Sequence, residues 1–163
     1  MFVDASVIVA ILGREPGYPE IEKRLAMAEW RFFVSPLVRF EASVALARLK
    51  AAQRRAKHNP RPELLRQAQA AVDAFIEDLD AEEIAITPEI GRRALDACAS
   101  YGKAVGHAAD LNFGDCFAYA CAKQLGAPLE GRLKRAKALA DAMGGSDPAF
   151  DMKAYTDELW GDV

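Results

Sequence analysis

The chain has 163 residues, 52% hydrophobic and 28% charged, enough to bury one proper core and short for two domains. A formal net charge of −3 argues against a uniformly basic nucleic-acid binder, and no apolar run reaches the length of a membrane span. The apolar start "MFVDASVIVAILGREPG" carries Asp4 and no basic leader, which reads against a secretory signal and for the cytoplasm, with no membrane partner.

"MFVD" is a short apolar run ending in an acid, and it suits a buried strand. "ASVIVAILG" follows as a helix that Gly13 closes. Residues 19–29 place Ile21, Leu25 and Ala28 on one helical face. "RFFVS" (31–35) reads as a second strand, and Pro36 suits the first turn of a helix that runs into a basic block. In "HNPRP" two prolines in three positions stop that helix. The next helix, Glu63 to Leu79, aligns Leu65, Ala68, Val72, Phe75, Ile76 and Leu79. "EIAIT" (83–87) is a third strand, residues 88–102 are a helix with Pro88 near its start, and "KAVGHAAD" is a loop. "LNFGDCFAYACAKQLGAPLE" (111–130) then reads as a tight glycine turn, an acid, and a helix with a strongly apolar face. Short strands alternating with helices predict an α/β architecture, its parallel sheet covered on both faces.

The basic block, Arg48 to Pro62, holds six Lys or Arg and no acid. It is either a solvated helix end or a landing strip for a polyanion, in which case Arg54, Arg55 and Lys57 are the candidate RNA-phosphate contacts. Cys98, Cys116 and Cys121 have no metal-ligand spacing and read as small buried apolar residues in a reducing compartment. His58 and His107 stand far apart, with no ligand-spaced neighbours that would argue for zinc.

Three acids carry the candidate chemistry. In open α/β sheets, ligands bind beyond the carboxyl ends of the strands. Asp4 sits at such an end, Glu41 lies in the second turn of the helix after the second strand, and Asp115 lies in the first turn of its own helix. Carboxylates gathered on one rim repel each other unless cations intervene, and the hard, oxygen-seeking ions Mg²⁺ and Mn²⁺ suit them. Such an ion can activate water and stabilise a phosphodiester undergoing in-line displacement. Each acid also admits a plainer role. Asp4 can cap the helix beginning near Ser6, Asp115 can be an N-cap or first-turn acid favoured by the helix dipole, and Glu41 can be an exposed helix acid.

"MFVDASVIVAIL", "SPLVRFEASVAL" and "LNFGDCFAYACAK" resemble the motifs of PIN-domain ribonucleases, specifically the VapC toxins of type II toxin–antitoxin pairs, over roughly residues 1–129. The resemblance implies a PIN-like α/β/α sandwich with a central, mainly parallel sheet. It implies an endoribonuclease that depends on Mg²⁺ or Mn²⁺, cuts structured RNA such as tRNA, forms a homodimer and is inhibited by a cognate VapB-type antitoxin. Asp4, Glu41 and Asp115 match the family's catalytic, metal-binding acids, and Ser6 and Asn112 match polar residues beside them.

After "GAPL" the sequence departs from the family, whose members continue with a strand and an acidic turn. No Asp stands at the expected fourth position, Glu130 comes too early, and the last strand is expected to be missing or changed. The chain therefore divides into a nuclease-like domain, 1–130, and a helical tail, 131–163. The tail offers an amphipathic helix (131–143) with Arg132, Lys134, Arg135 and Lys137, a "GGSDP" linker and a final aromatic segment. It either packs on its own domain or resembles the toxin-wrapping end of a VapB antitoxin. The missing acid keeps a second reading open, in which the fold is a weak or silent module that only binds RNA or antitoxin.

Overall fold

Phe2 and Val3 have no exposed surface, and they form β1 (Phe2–Val3), an inner strand of a four-stranded sheet. The computed structural model describes residues 1–53 and 61–131. Arg54, Arg55 and Lys57 lie outside the described residues, as does the expected tail from 132 onward. After β1 come helices α1 (Ala5–Gly13) and α2 (Tyr18–Met27), strand β2 (Phe33–Val34) and helices α3 (Pro36–Gln53) and α4 (Pro62–Asp78). Strand β3 (Glu82–Glu83), helix α5 (Pro88–Tyr101), a 3-10 turn at Lys103–Val105, helix α6 (Phe113–Leu125) and strand β4 (Leu129–Glu130) complete the order.

The sheet order is β3-β2-β1-β4 and every pairing is parallel, with Phe2 opposite both Phe33 and Leu129, and Phe33 opposite Glu82. Helices flank it: α1, α3 and α4 pack on one another, and α5 packs on α6, which also meets β1. The expected α/β sandwich with a parallel sheet is what the chain forms. Period-3.6 patterning explains most of the helical faces, since Ile21 and Leu25 of α2 and Ala68, Val72 and Ile76 of α4 are buried. Leu65, expected on that same face, is instead 39% exposed.

Several boundaries shift. The third strand pairs at Glu82–Glu83 rather than over 83–87, because the ladder is set by backbone bonds from Glu82 N to Phe32 O and Ile84 N to Val34 O, both 2.9 Å. Ile84 and Ile86 pack on the core without joining the named strand. A final strand is present after all: Asp4 N donates to Glu130 O at 2.9 Å and Phe2 N to Pro128 O at 2.7 Å, placing β4 beside β1. Gly13 is the last helical residue of α1 and Arg14 takes the left-handed cap. A Cβ at 13 would stand 2.5 Å from Leu49 Cδ2, so the end of that side chain packs into the space glycine leaves.

Two of the three cysteines are the small buried residues expected, Cys116 and Cys121, while Cys98 is half-buried, and all three are free thiols. Burial pushes the Cys121 thiol up to about 11, and Cys116 reaches about 11 through burial first, with Cys98 and Asp115 adding. Against an ordinary 9.0, that lowers the thiolate fraction at pH 8 by about 100-fold. Native protein should therefore release one equivalent of thionitrobenzoate from Ellman's reagent, at Cys98, well before the other two. Three thiols reacting at one rate would contradict the packing.

Candidate metal centre

Chain direction alone brings three acids to one edge. In a parallel sheet, a helix that follows a strand starts at the carboxyl edge, and a helix that leads into a strand starts there too and runs back. The first case is α3 after β2, the second α6 before β4, and Asp4 directly ends β1. Arg39 fastens the start of α3 at this edge by donating from Nε to Glu83 at 2.6 Å and from Nη1 to Asp73 of α4. These two carboxylates raise its pKa, the bond to Glu83 most. Ser35, buried at the end of β2, accepts from Val38 N at 3.3 Å and turns the chain into the helix.

Asp4 is 8% exposed and N-caps α1, its Oδ2 accepting from Ser6 N at 3.0 Å and from Ser6 Oγ. Asp115 is 4% exposed and closes a capping box: its Oδ2 accepts from Asn112 N at 2.9 Å while its own N donates to Asn112 Oδ1 at 3.0 Å. The plainer roles foreseen for both acids are therefore real, and each goes through Oδ2. Glu41 is half-buried, and its carboxylate lies directly on the α-carbon of Gly114, one residue before Asp115. That contact joins the second turn of α3 to the first turn of α6, whose positive dipole end favours the extra negative charge.

Ser6 and Asn112 thus hold the two buried carboxylates, as residues flanking such a site would. Among the described residues no three His, Cys, Asp or Glu side chains stand close enough to hold an ion at once. Each buried carboxylate is held instead by a local donor, Asp4 by Ser6 and Asp115 by Asn112. The donor set is entirely oxygen, two of its carboxylates are buried, and a bare α-carbon makes room for the third. These features fit a hard divalent cation such as Mg²⁺ or Mn²⁺ and not a soft one. Glu130, which the sequence places too early for the fourth acid, is ion-paired with Arg24 of α2, whose Nη2 and Nε donate to its Oε1 at 2.6 Å and 3.1 Å.

Gly114 is the site residue that sequence reading misplaced. It is no turn: it occupies the second helical position of α6. The available signal was the adjacency of a glycine and an acid inside a helix start, "NFGD", where the helix itself gains nothing from glycine.

The PIN domain family model matches residues 1–129. A VapC ribonuclease of Rhizobium meliloti is 55% identical over 128 residues, covering 78% of this chain and 89% of that protein. Ribonuclease VapC42 of Mycobacterium tuberculosis is 34% identical over 129 residues, 79% of this chain and 87% of its own. Ribonuclease VapC28 of the same organism is also 34% identical over 129 residues, with 79% and 86% covered.

Proposed function

The chain belongs to the PIN-domain family, in its VapC branch, and on that footing we propose that it is a divalent-metal-dependent endoribonuclease toxin acting on structured, tRNA-like RNA. The observation that carries this reading is the Glu41 carboxylate seated on the first turn of α6 beside Asp115, at the edge where Asp4 ends β1. Asp4, Glu41 and Asp115 would hold the ion. When bound, Mg²⁺ or Mn²⁺ supplies a Lewis acid and a readily deprotonated water for in-line attack on a phosphodiester. Ser6 and Asn112 hold one oxygen of each buried carboxylate, so the other oxygen of Asp4 and of Asp115 would be the one offered to the ion. The dipole of α6 adds positive potential where a scissile phosphate must approach three acids.

The partners that go with this activity are a VapB-type antitoxin and a second copy of the chain, in the cytoplasm. No helix among the described residues is long and apolar enough to cross a membrane. Arg54, Arg55 and Lys57 are proposed to meet RNA phosphates without reading bases. The segment 131–163 is proposed as an antitoxin-like inhibitory tail, since the family match ends at 129. Tethering would give its four basic residues an effective concentration on the order of millimolar at the acidic edge.

The second reading, a silent module that binds RNA or antitoxin without cutting, draws on the engagement of Glu130 with Arg24, which leaves three candidate acids among the described residues where the family uses four. One assay separates them. Total RNA is incubated with the full chain and with a chain ending at Gly131, each with Mg²⁺, Mn²⁺ or EDTA. Discrete fragments that EDTA abolishes, and faster cutting by the shorter chain, are the expected result. Intact RNA with every metal and both chains would leave the binding module as the function. Equal cutting by the two chains would remove the inhibitory tail.

A further inference from the structure

We infer that Gly114 is a positioning residue for the acidic site: its missing side chain is the seat in which the Glu41 carboxylate lies beside Asp115. This rests on the metal-site reading above.

Glycine is not at 114 for its backbone freedom. The positive-φ glycines of the described chain are Gly17, Gly106 and Gly126, and Gly114 sits within α6. Within a helix glycine is disfavoured relative to alanine, so the helix itself gains nothing from glycine at this position. Space explains the choice. A Cβ on Gly114 would overlap both carboxylate oxygens of Glu41 and stand 2.6 Å from its Cδ, and no other atom is as near. The obstructed group is the far end of a flexible side chain, so alanine would evict Glu41 and leave the backbone where it is. Removing the seat should therefore uncouple function from stability. The carboxylate of α3 loses its place next to the carboxylate of α6, while the helix gains propensity.

Shortening the evicted arm supplies an independent check. Aspartate at 41 is one methylene shorter and clears the alanine methyl, so the two positions should compensate. Mn²⁺ binding is measured by calorimetry on the full chain for the parent, Gly114→Ala, Glu41→Asp, the double variant and Asp115→Asn, with a melting curve for each. Gly114→Ala is expected to weaken Mn²⁺ on the order of tenfold, the size typical of a lost supporting contact, with an unchanged or higher Tm. Glu41→Asp, introduced into the Gly114→Ala chain, is expected to recover part of that loss, although alone it weakens binding. Parent-like affinity in Gly114→Ala would overturn the inference. So would a collapsed fold, since only a side-chain end stands in the way, and so would losses that simply add in the double variant. If Asp115→Asn binds Mn²⁺ like the parent, or the parent binds none, the metal-site reading itself fails. If Asp115→Asn loses the ion and Gly114→Ala keeps it, only the role of Gly114 falls.

Discussion

Asp115→Asn is expected to lower metal-dependent RNA cleavage by on the order of 10³-fold while the fold stays in place, because several kcal/mol of charge stabilisation at the transition state goes with the ion. Asparagine keeps an oxygen that can accept from Asn112 N, so the capping box that starts α6 survives in outline. What disappears is one unit of negative charge at a site 4% exposed, beside the Glu41 carboxylate. Removing one of several like charges relieves repulsion in the metal-free state, so Tm should hold or rise slightly. Asp4→Asn should behave the same way, since asparagine caps a helix as well as aspartate does and Ser6 N keeps an acceptor. The measurement is a single-turnover cleavage rate at saturating Mn²⁺, paired with a melting curve. Parent-like cleavage by either variant would take that acid out of the chemistry. Loss of cleavage together with a Tm lowered by many degrees would assign it to capping alone.

Sequence reading reached the architecture because helices write their buried faces at a fixed period and parallel strands write short apolar runs. Ile21 with Leu25, and Ala68 with Val72 and Ile76, needed no tertiary knowledge. Its expectation of three acids at one edge came from the same source, since chain direction follows from strand and helix order, but among the described residues no three such side chains gather closely enough to hold an ion. It failed where a residue answers to a neighbour distant in the chain. Gly114 looked like a turn and is a gap for Glu41. The final strand looked lost because its side chains changed, yet β4 pairs with β1 through backbone groups that any sequence carries. Glu130 looked like a misplaced ligand until Arg24, over a hundred residues earlier, claimed it.

Gly102→Ala is the counter-case to Gly114→Ala, and it should cost about 2–3 kcal/mol, roughly 5–10 °C in Tm for a chain of this size. The backbone at 102, φ −77 and ψ 153, suits any residue, so the penalty is not conformational. It is steric, and the obstacle is rigid. A Cβ there would overlap the carbonyl oxygen of Cys98 and stand 2.9 Å from its Cα and 2.9 Å from its Sγ. That same carbonyl accepts the Gly102 N–H at 2.8 Å to close α5, so moving away breaks the cap that defines the helix end. The displacement cannot stay local. Lys103 N donates to Leu111 O at 2.8 Å and Leu111 N to Tyr101 O at 3.2 Å, and the next residue, Asn112, caps α6 and holds Asp115. The same methyl added at 102 should therefore lower stability and metal affinity together, where at 114 it lowers affinity alone. Melting curves and Mn²⁺ titrations on the two variants decide it. A Gly102→Ala protein that melts within a degree or two of the parent would mean that the 102–112 loop absorbs the methyl without moving Asn112.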